Sequence, residues 1–410
     1  MTESLKWKLI KNAGWLFGAE IISKLLAYGV IVILSRTLGP ESLGQYSFIF
    51  YYVELLGVFS DLGVSYYLMR EVAKDKGKLR ELLPDVLGFK IFLAFLNFLI
   101  IVGITFFLPK PRWMKVLIVL AGAEAMLTWL SYLFVRIMYA HEVTKYEAMA
   151  KTIERLWAFI VGGAVLFYTR RLASFIYTLL IGYSIREFLR IKFGFKFISF
   201  EVEVNFDYRS WISLLRRSYP FWLIGLFTLI YYRTDMVMLS LMKGDYETGI
   251  YRAAYTLIEA SLFIPNIVVS TTMPSMTRLW KNDRKTLSIL FKKSVQILLG
   301  IGILGTSGYY IFARLGIYMI FGSKFLPSVS VLKILAFALP FIFLNSLLGS
   351  FMNAIGKELM FTKITGFTAL LNVVLNYFLI PQYGAIGATL ATVISQGIMT
   401  FLLFVMKFYC

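Results

Sequence analysis

The chain has 410 residues, of which 59% are hydrophobic, 17% aromatic and only 16% charged, whereas a soluble globular protein carries roughly 45–50% apolar and about 25% charged residues. This composition excludes a water-soluble globule. The formal net charge of +19, which in a soluble chain would point to nucleic acid, here reflects retention of Lys and Arg on the cytoplasmic side of a membrane, and no nucleic-acid partner is expected.

The N-terminal Leu5, Trp7, Leu9 and Ile10, interleaved with Lys6, Lys8 and Lys11, suit an interfacial anchor. The first long apolar stretch, 13–35, holds Glu20 and Lys24 and has no small-x-small cleavage site, so it is expected to be a permanent helix rather than a signal peptide. At about 20 residues per crossing, twelve spans are predicted: 13–35, 46–68, 87–108, 116–135, 156–169, 172–189, 218–241, 253–277, 295–321, 328–352, 361–380 and 385–406. With the N-terminus inside, Lys and Arg concentrate on the inner connections, which predicts a multi-pass cell-membrane protein with both termini cytoplasmic. The longest inner connections are expected at 69–86, 190–217 and 278–294, with an interfacial helix over Phe206–Arg217 joining two halves.

The single histidine, His141, and single cysteine, Cys410, leave no disulfide framework and no basis for a His/Cys metal site or a Cys/His nucleophile. The chain is therefore predicted not to be an enzyme, and no cofactor is expected.

A shift of 205 residues superimposes Leu34, Ser35, Gly39, Gly44, Tyr46, Glu54, Val64 and Ser65 on Leu239, Ser240, Gly244, Gly249, Tyr251, Glu259, Val269 and Ser270. Apolar coincidences between spans are common, but a repeated intramembrane Glu is not, because each such group costs about 2.5 kcal/mol or more to insert. The repeat contains six spans, so both halves share one orientation. The prediction is an all-α polytopic protein of twelve transmembrane helices in two pseudo-symmetric six-helix lobes, 1–205 and 206–410, around a central cavity.

Glu20 and Lys24 lie one turn apart on the first span, and Glu54 and Asp61 two turns apart on the second, so each pair is expected to share a face. Lys24, Arg233, Arg314, Lys363, Asn345 and Asn376 are the candidate cargo-binding residues, since buried Lys and Arg offer charge-assisted hydrogen bonds to phosphate. The candidate coupling or gating residues are Glu20, Glu54, Asp61, Asp235 and Glu259. Lys90, Arg186 and Lys333 are expected to snorkel from span ends. Pro220, Pro265, Pro274 and Pro340 are expected to bend their spans.

The runs SRTLGPESLGQYSF (35–48), FSDLGVSYYLMRE (59–71), MYAHEVTKYEAMAKTIERL (138–156), RTDMVMLSLMKGDYETGIYRAAYTL (233–257) and GKELMFTKITGFTALLNVVLNYFLIPQYGAIGATLAT (356–392) resemble the polysaccharide-transport branch of the multidrug/oligosaccharidyl-lipid/polysaccharide exporter superfamily, which contains Wzx-type flippases. The resemblance implies a lipid-linked oligosaccharide as cargo, carried on polyisoprenoid (di)phosphate, with membrane lipid and other glycan-assembly proteins as partners. It matches Asp61 and Arg70 to the family's second-helix pattern, and Asp235, Gly249, Tyr251 and Ala254 to its seventh-to-eighth-helix motif. Lipid II flippases of the superfamily carry two further C-terminal helices, so a peptidoglycan precursor is not the expected cargo. Coupling to H+ or Na+ is left open. The alternative is a cation-coupled multidrug exporter using Glu54, Asp61 or Asp235.

Overall fold

A computed structural model describes the backbone of residues 3–408 and the side chains of residues 21–406. The side chains of Glu20, of the N-terminal anchor residues and of Cys410 lie outside the described residues.

Sixteen α-helices follow in chain order, and no strand occurs among the described residues: α1 Glu3–Leu38, α2 Pro40–Leu56, α3 Val64–Lys74, α4 Lys78–Phe107, α5 Arg112–Ala140, α6 Lys145–Trp157, α7 Gly163–Thr169, α8 Leu172–Gly194, α9 Tyr208–Met242, α10 Asp245–Ser261, α11 Phe263–Asn282, α12 Arg284–Phe321, α13 Ser328–Leu335, α14 Leu339–Ala354, α15 Glu358–Tyr383 and α16 Ala385–Phe408. Backbone polar groups in hydrocarbon must be satisfied within the segment, which is why apolar sequence of this length adopts helix. Eleven helical segments are long and apolar enough to cross a membrane, and a twelfth is the broken pair Pro40–Ser60 with Val64–Lys74, bent by 56°. All twelve predicted spans have a counterpart, and the chain is an all-α multi-span membrane protein.

The repeat is visible in the backbone. Gly39 and Gly244, related by the shift of 205, end helical segments with φ +90° and +93°, a conformation that costs a residue with a Cβ. The second span breaks into a 3-10 turn at Gly57–Ser60, and the eighth breaks at Leu262 between α10 and α11, which is the equivalent position.

Contacts group the chain into two compact units, one of residues 1–38 and 52–225 and the other of residues 39–51 and 226–410. In the first, α3, α4, α5 and the start of α9 share a core of Val64, Leu68, Leu83, Val86, Leu133 and Ile137. In the second, small residues such as Ala253, Ala254, Ala336, Ala388 and Ala391 are fully buried, the pattern that lets helices approach closely where no hydrophobic force separates lipid from protein.

Several expectations are corrected. The second span is not one continuous helix: α2 ends at Leu56, Gly57–Ser60 form a 3-10 turn and Leu62 and Gly63 adopt φ of +44° and +81°, so Glu54 on α2 and Asp61 beyond the 3-10 turn do not share a helical face. The inner connections at 69–86 and 278–294 are not long, since α3 and α4 are separated only by 75–77 and α11 and α12 only by Asp283. Asp283 stops the chain tightly because its carboxylate accepts from the Thr286 amide at 3.0 Å, a cap whose hydrogen bonds hold the carboxyl below its ordinary value. Phe206–Arg217 is not a separate interfacial helix. From Tyr208 it is the first part of α9, anchored by Trp211 stacking on Phe89 and Phe92 at 5.4 and 5.1 Å. The fifth span starts at Lys145 rather than 156, because the acids that made 145–155 look like a connection are neutralised within the unit.

Candidate cargo and coupling sites

In the second unit, α9 and α10 bring together residues that the repeat had singled out. Arg252 Nη1 donates to Glu259 Oε2 at 2.8 Å, and Arg233 Nη1 lies 3.5 Å from Glu259 Oε1. Both guanidiniums also face the ring of Tyr51, at 4.3 Å from Arg233 and 5.3 Å from Arg252. Arg252 is buried, whereas the Arg233 and Glu259 side chains keep 22% and 21% exposure. Two cations share one carboxylate here. The Tyr51 ring adds a cation–π face to both guanidiniums, and guanidinium forks of this kind also suit phosphate oxygens.

Asp235 lies two residues on from Arg233 on α9, so it points away from Arg233's face, and it is 2% exposed. It accepts from the Tyr251 hydroxyl and from the Met236 amide at 2.8 Å, and Tyr251 in turn meets Thr392 at 3.3 Å. Asn376 donates to Asn372 Oδ1 at 2.9 Å and Asn372 to Ser395 at 3.1 Å, while Asn376 Oδ1 is buried without a hydrogen-bond partner. Asn345 donates to Gln396 Oε1 at 2.7 Å and accepts from Thr400 at 2.8 Å. The amides of Asn345 and Asn376 are thus turned into helix packing. Arg314 and Lys363 are exposed on α12 and α15, and the structure does not join them to the Arg233 group.

In the first unit, Lys24 is exposed on α1 and Glu54 is exposed on α2. Asp61 sits at the break of the second span and accepts from Ser65 Oγ and Lys90 Nζ, with Lys90 Nζ a further 3.0 Å from Ser65 Oγ. Lys90 is 0% exposed, so it does not snorkel. Its ammonium is compensated in the interior, where reaching water would break the pair.

Arg186 does not snorkel either. It binds Glu187 and, at 3.3 Å, Glu154. Arg190 on the next turn binds Glu147 and meets Glu187 at 2.9 Å, and Ser131 and Thr128 add hydroxyl donors to Glu187. This network of α5, α6 and α8 was missed as a unit, although its spacing was available: Glu147 and Glu154 lie two turns apart, and Arg186, Glu187 and Arg190 lie on one helical face. Beside it, a cavity of about 690 Å³ between α5 and α8 has apolar walls except for Glu124 and Ser184.

The model of the polysaccharide biosynthesis protein family matches residues 9–280, most of the chain. The protein belongs to this family. A capsular polysaccharide biosynthesis protein of Staphylococcus aureus, CapF, is 22% identical over 395 residues, 95% of this chain and 96% of that protein. A putative O-antigen transporter of Shigella flexneri is 23% identical over 414 residues, 93% and 94% of the two chains. Among solved structures, the lipid II flippase MurJ in an inward closed conformation superposes with a TM-score of 0.78 at 18% identity, over 96% of this chain and 87% of that one. This family member therefore has the helical fold of that flippase, and the resemblance read from its motifs holds along nearly its whole length.

Proposed function

We propose that this protein is a flippase that moves a polyisoprenoid (di)phosphate-linked oligosaccharide from the cytoplasmic to the outer leaflet of the cell membrane. The family, a relative named as an O-antigen transporter and the likeness to a lipid II flippase support this class of cargo. The observation that carries the reading is the Arg233–Glu259–Arg252 group, in which two guanidiniums on spanning helices share one carboxylate. A lipid-linked glycan cannot cross hydrocarbon unaided, because each unpaired hydroxyl costs several kcal/mol there. A polar path with a phosphate-binding cation removes that cost.

In this reading the lobes 1–205 and 206–410 rock about a cationic cavity, both termini face the cytoplasm, and no bond of the cargo is made or broken. Asp235 carries the coupling to H+ or Na+, being a buried carboxylate with neutral hydroxyl and amide partners. Glycan-assembly proteins supply and consume the cargo.

The test is movement of a fluorescent polyprenyl-diphosphate oligosaccharide in proteoliposomes, with uptake of a cationic drug measured in the same vesicles. Loss of one charge-assisted hydrogen bond is worth about 1.5–3 kcal/mol, so Arg233→Ala is expected to weaken cargo engagement roughly 10- to 100-fold. Drug uptake without lipid movement would overturn the reading in favour of a multidrug exporter.

A further inference from the structure

The first unit contains a second group of cations that the Arg233 site does not use. Arg136, on the last third of α5, stands 4.7 Å from the ring of Tyr132 and 5.3 Å from that of Tyr66. Its Nη2 donates to the Tyr132 hydroxyl at 2.7 Å and its Nη1 faces the Met69 sulfur at 3.8 Å, while its Nε is buried with no hydrogen-bond partner. Arg70 on α3 lies 5.1 Å from the ring of Phe221, which packs 4.7 Å from Tyr66. Arg217 on α9 donates to the Tyr67 hydroxyl at 3.2 Å.

The carboxylate nearest this group, Glu71, is already shared by Arg70, Lys74 and Lys78 at 3.2, 2.9 and 3.1 Å. Among the described residues neither Arg136 nor Arg217 has a carboxylate within 4.0 Å. Three cations therefore take up the one acid, while Arg136, on the spanning helix α5, has ring, hydroxyl and sulfur partners but no counter-ion, and a charge so placed on a span marks a ligand path. Tyr66 and Tyr132 keep 39% and 37% exposure and Arg70 is half exposed, so the group forms an open face. Planar guanidinium forks suit phosphate oxygens, and the tyrosine rings add apolar faces with hydroxyl rims. The group lies beside the connections 75–77 and 141–144, which charge distribution places on the cytoplasmic side.

We infer that Arg136 and Arg217, with Arg70 and the rings of Tyr66 and Tyr132, form a separate phosphate-ester site at the cytoplasmic end of the first unit, where an anionic lipid headgroup is captured. That the headgroup is the cargo's own diphosphate rests on the flippase reading; the phosphate chemistry does not. Arg70 is partly satisfied by Glu71, so Arg136 and Arg217 carry the site.

The experiment is equilibrium binding to the full-length protein in nanodiscs of neutral phosphatidylcholine, with three probes: polyprenyl diphosphate, inorganic pyrophosphate, and nanodiscs in which part of the lipid is phosphatidylglycerol. The variants are Arg217→Gln, Arg136→Gln, the double variant and Arg136→Lys, each checked for an unchanged thermal midpoint. The double variant is expected to lose at least tenfold in affinity for polyprenyl diphosphate, and Arg136→Lys to regain part of it, since a point charge replaces a bidentate fork. Arg217 is exposed, so its single variant tests the site even where changes at Arg136 perturb folding, and a threefold or greater loss is expected from it. Binding of phosphatidylglycerol or pyrophosphate but not of polyprenyl diphosphate, lost in the same variants, would uphold the site and overturn the cargo reading. Unchanged affinity for all three probes in a folded double variant or in Arg217→Gln would overturn the site.

Discussion

At the scale of single residues, the question is which of the many intramembrane charges hold the fold and which remain available to a ligand. Asp61 and Lys90 answer for the first group. Lys90 is wholly enclosed and its ammonium meets both Asp61 and Ser65, across the break that follows the 3-10 turn. Removing one partner leaves the other charge buried alone, which costs about 3–5 kcal/mol, whereas replacing both with neutral groups of similar size is often close to neutral. Asp61→Asn, which strands the enclosed Lys90 ammonium, is therefore expected to lower stability by about that amount, and Asp61→Asn with Lys90→Met by much less. A double-mutant cycle on detergent-solubilised protein, read by thermal unfolding, checks this; additive losses would show that the two side chains act separately. The sequence marked Asp61 and Arg233 as charged residues in spans but could not pair them. Asp61 finds its partner 29 positions away, Arg233 finds Glu259 26 positions away, and nothing in hydropathy encodes such distances.

At the scale of elements, the repeat was the most legible feature, and the structure gives it a mechanical meaning. Gly44 of α2 and Gly249 of α10 are equivalent positions. A Cβ on Gly44 would stand 1.7 Å from the Asp245 carbonyl oxygen, and one on Gly249 would stand 1.8 Å from that of Pro40. Since Pro40 and Asp245 are themselves equivalent, the two first turns approach each other reciprocally, backbone against backbone, in the close small-residue packing that membrane helices favour. Gly44→Val and Gly249→Val are each expected to part the two turns, lowering stability and abolishing cargo movement while membrane insertion persists. Gly300, with nothing within 4 Å of a built Cβ, is the control. Gly300→Ala should leave movement intact and stabilise α12 by up to about 1 kcal/mol, through lower backbone entropy in the unfolded chain. A parallel assay of movement and thermal midpoint separates these outcomes, and equal behaviour of Gly44→Val and Gly300→Ala would deny the seam any role. Less legible were the lengths of the connections. Polar residues at 145–155 and 206–217 lower local hydropathy, but Glu147 and Glu154 are neutralised by Arg190 and Arg186, and Trp211 is held by aromatic stacking. Helix continues through both segments because tertiary partners satisfy side chains that a linear scan counts as solvated.

At the scale of the whole molecule, direction of transport depends on which face the cationic groups occupy. Arg70, Lys74, Lys76, Lys78 and Arg80 flank the connection between α3 and α4, and Arg278, Lys281, Arg284 and Lys285 flank the one between α11 and α12. The opposite connections hold fewer, Lys110, Arg112 and Lys115 around 108–111 and Arg170 and Arg171 between α7 and α8, and a bias of this kind in short connections sets orientation. The inferred capture site lies on the first of these faces, so an inward position of that face is what makes it an entrance for headgroups made in the cytoplasm. Orientation is therefore testable independently of cargo. Cys410 is the only native thiol; in a Cys410→Ser background, Lys110→Cys between α4 and α5 and Glu142→Cys between α5 and α6 place single thiols at opposite ends of α5. A membrane-impermeant maleimide applied to intact cells is expected to label Lys110→Cys at least tenfold more than Glu142→Cys, with the two equalised after permeabilisation. The reverse pattern would turn the chain over, place Arg70, Arg136 and Arg217 outside, and convert an export entrance into an exit.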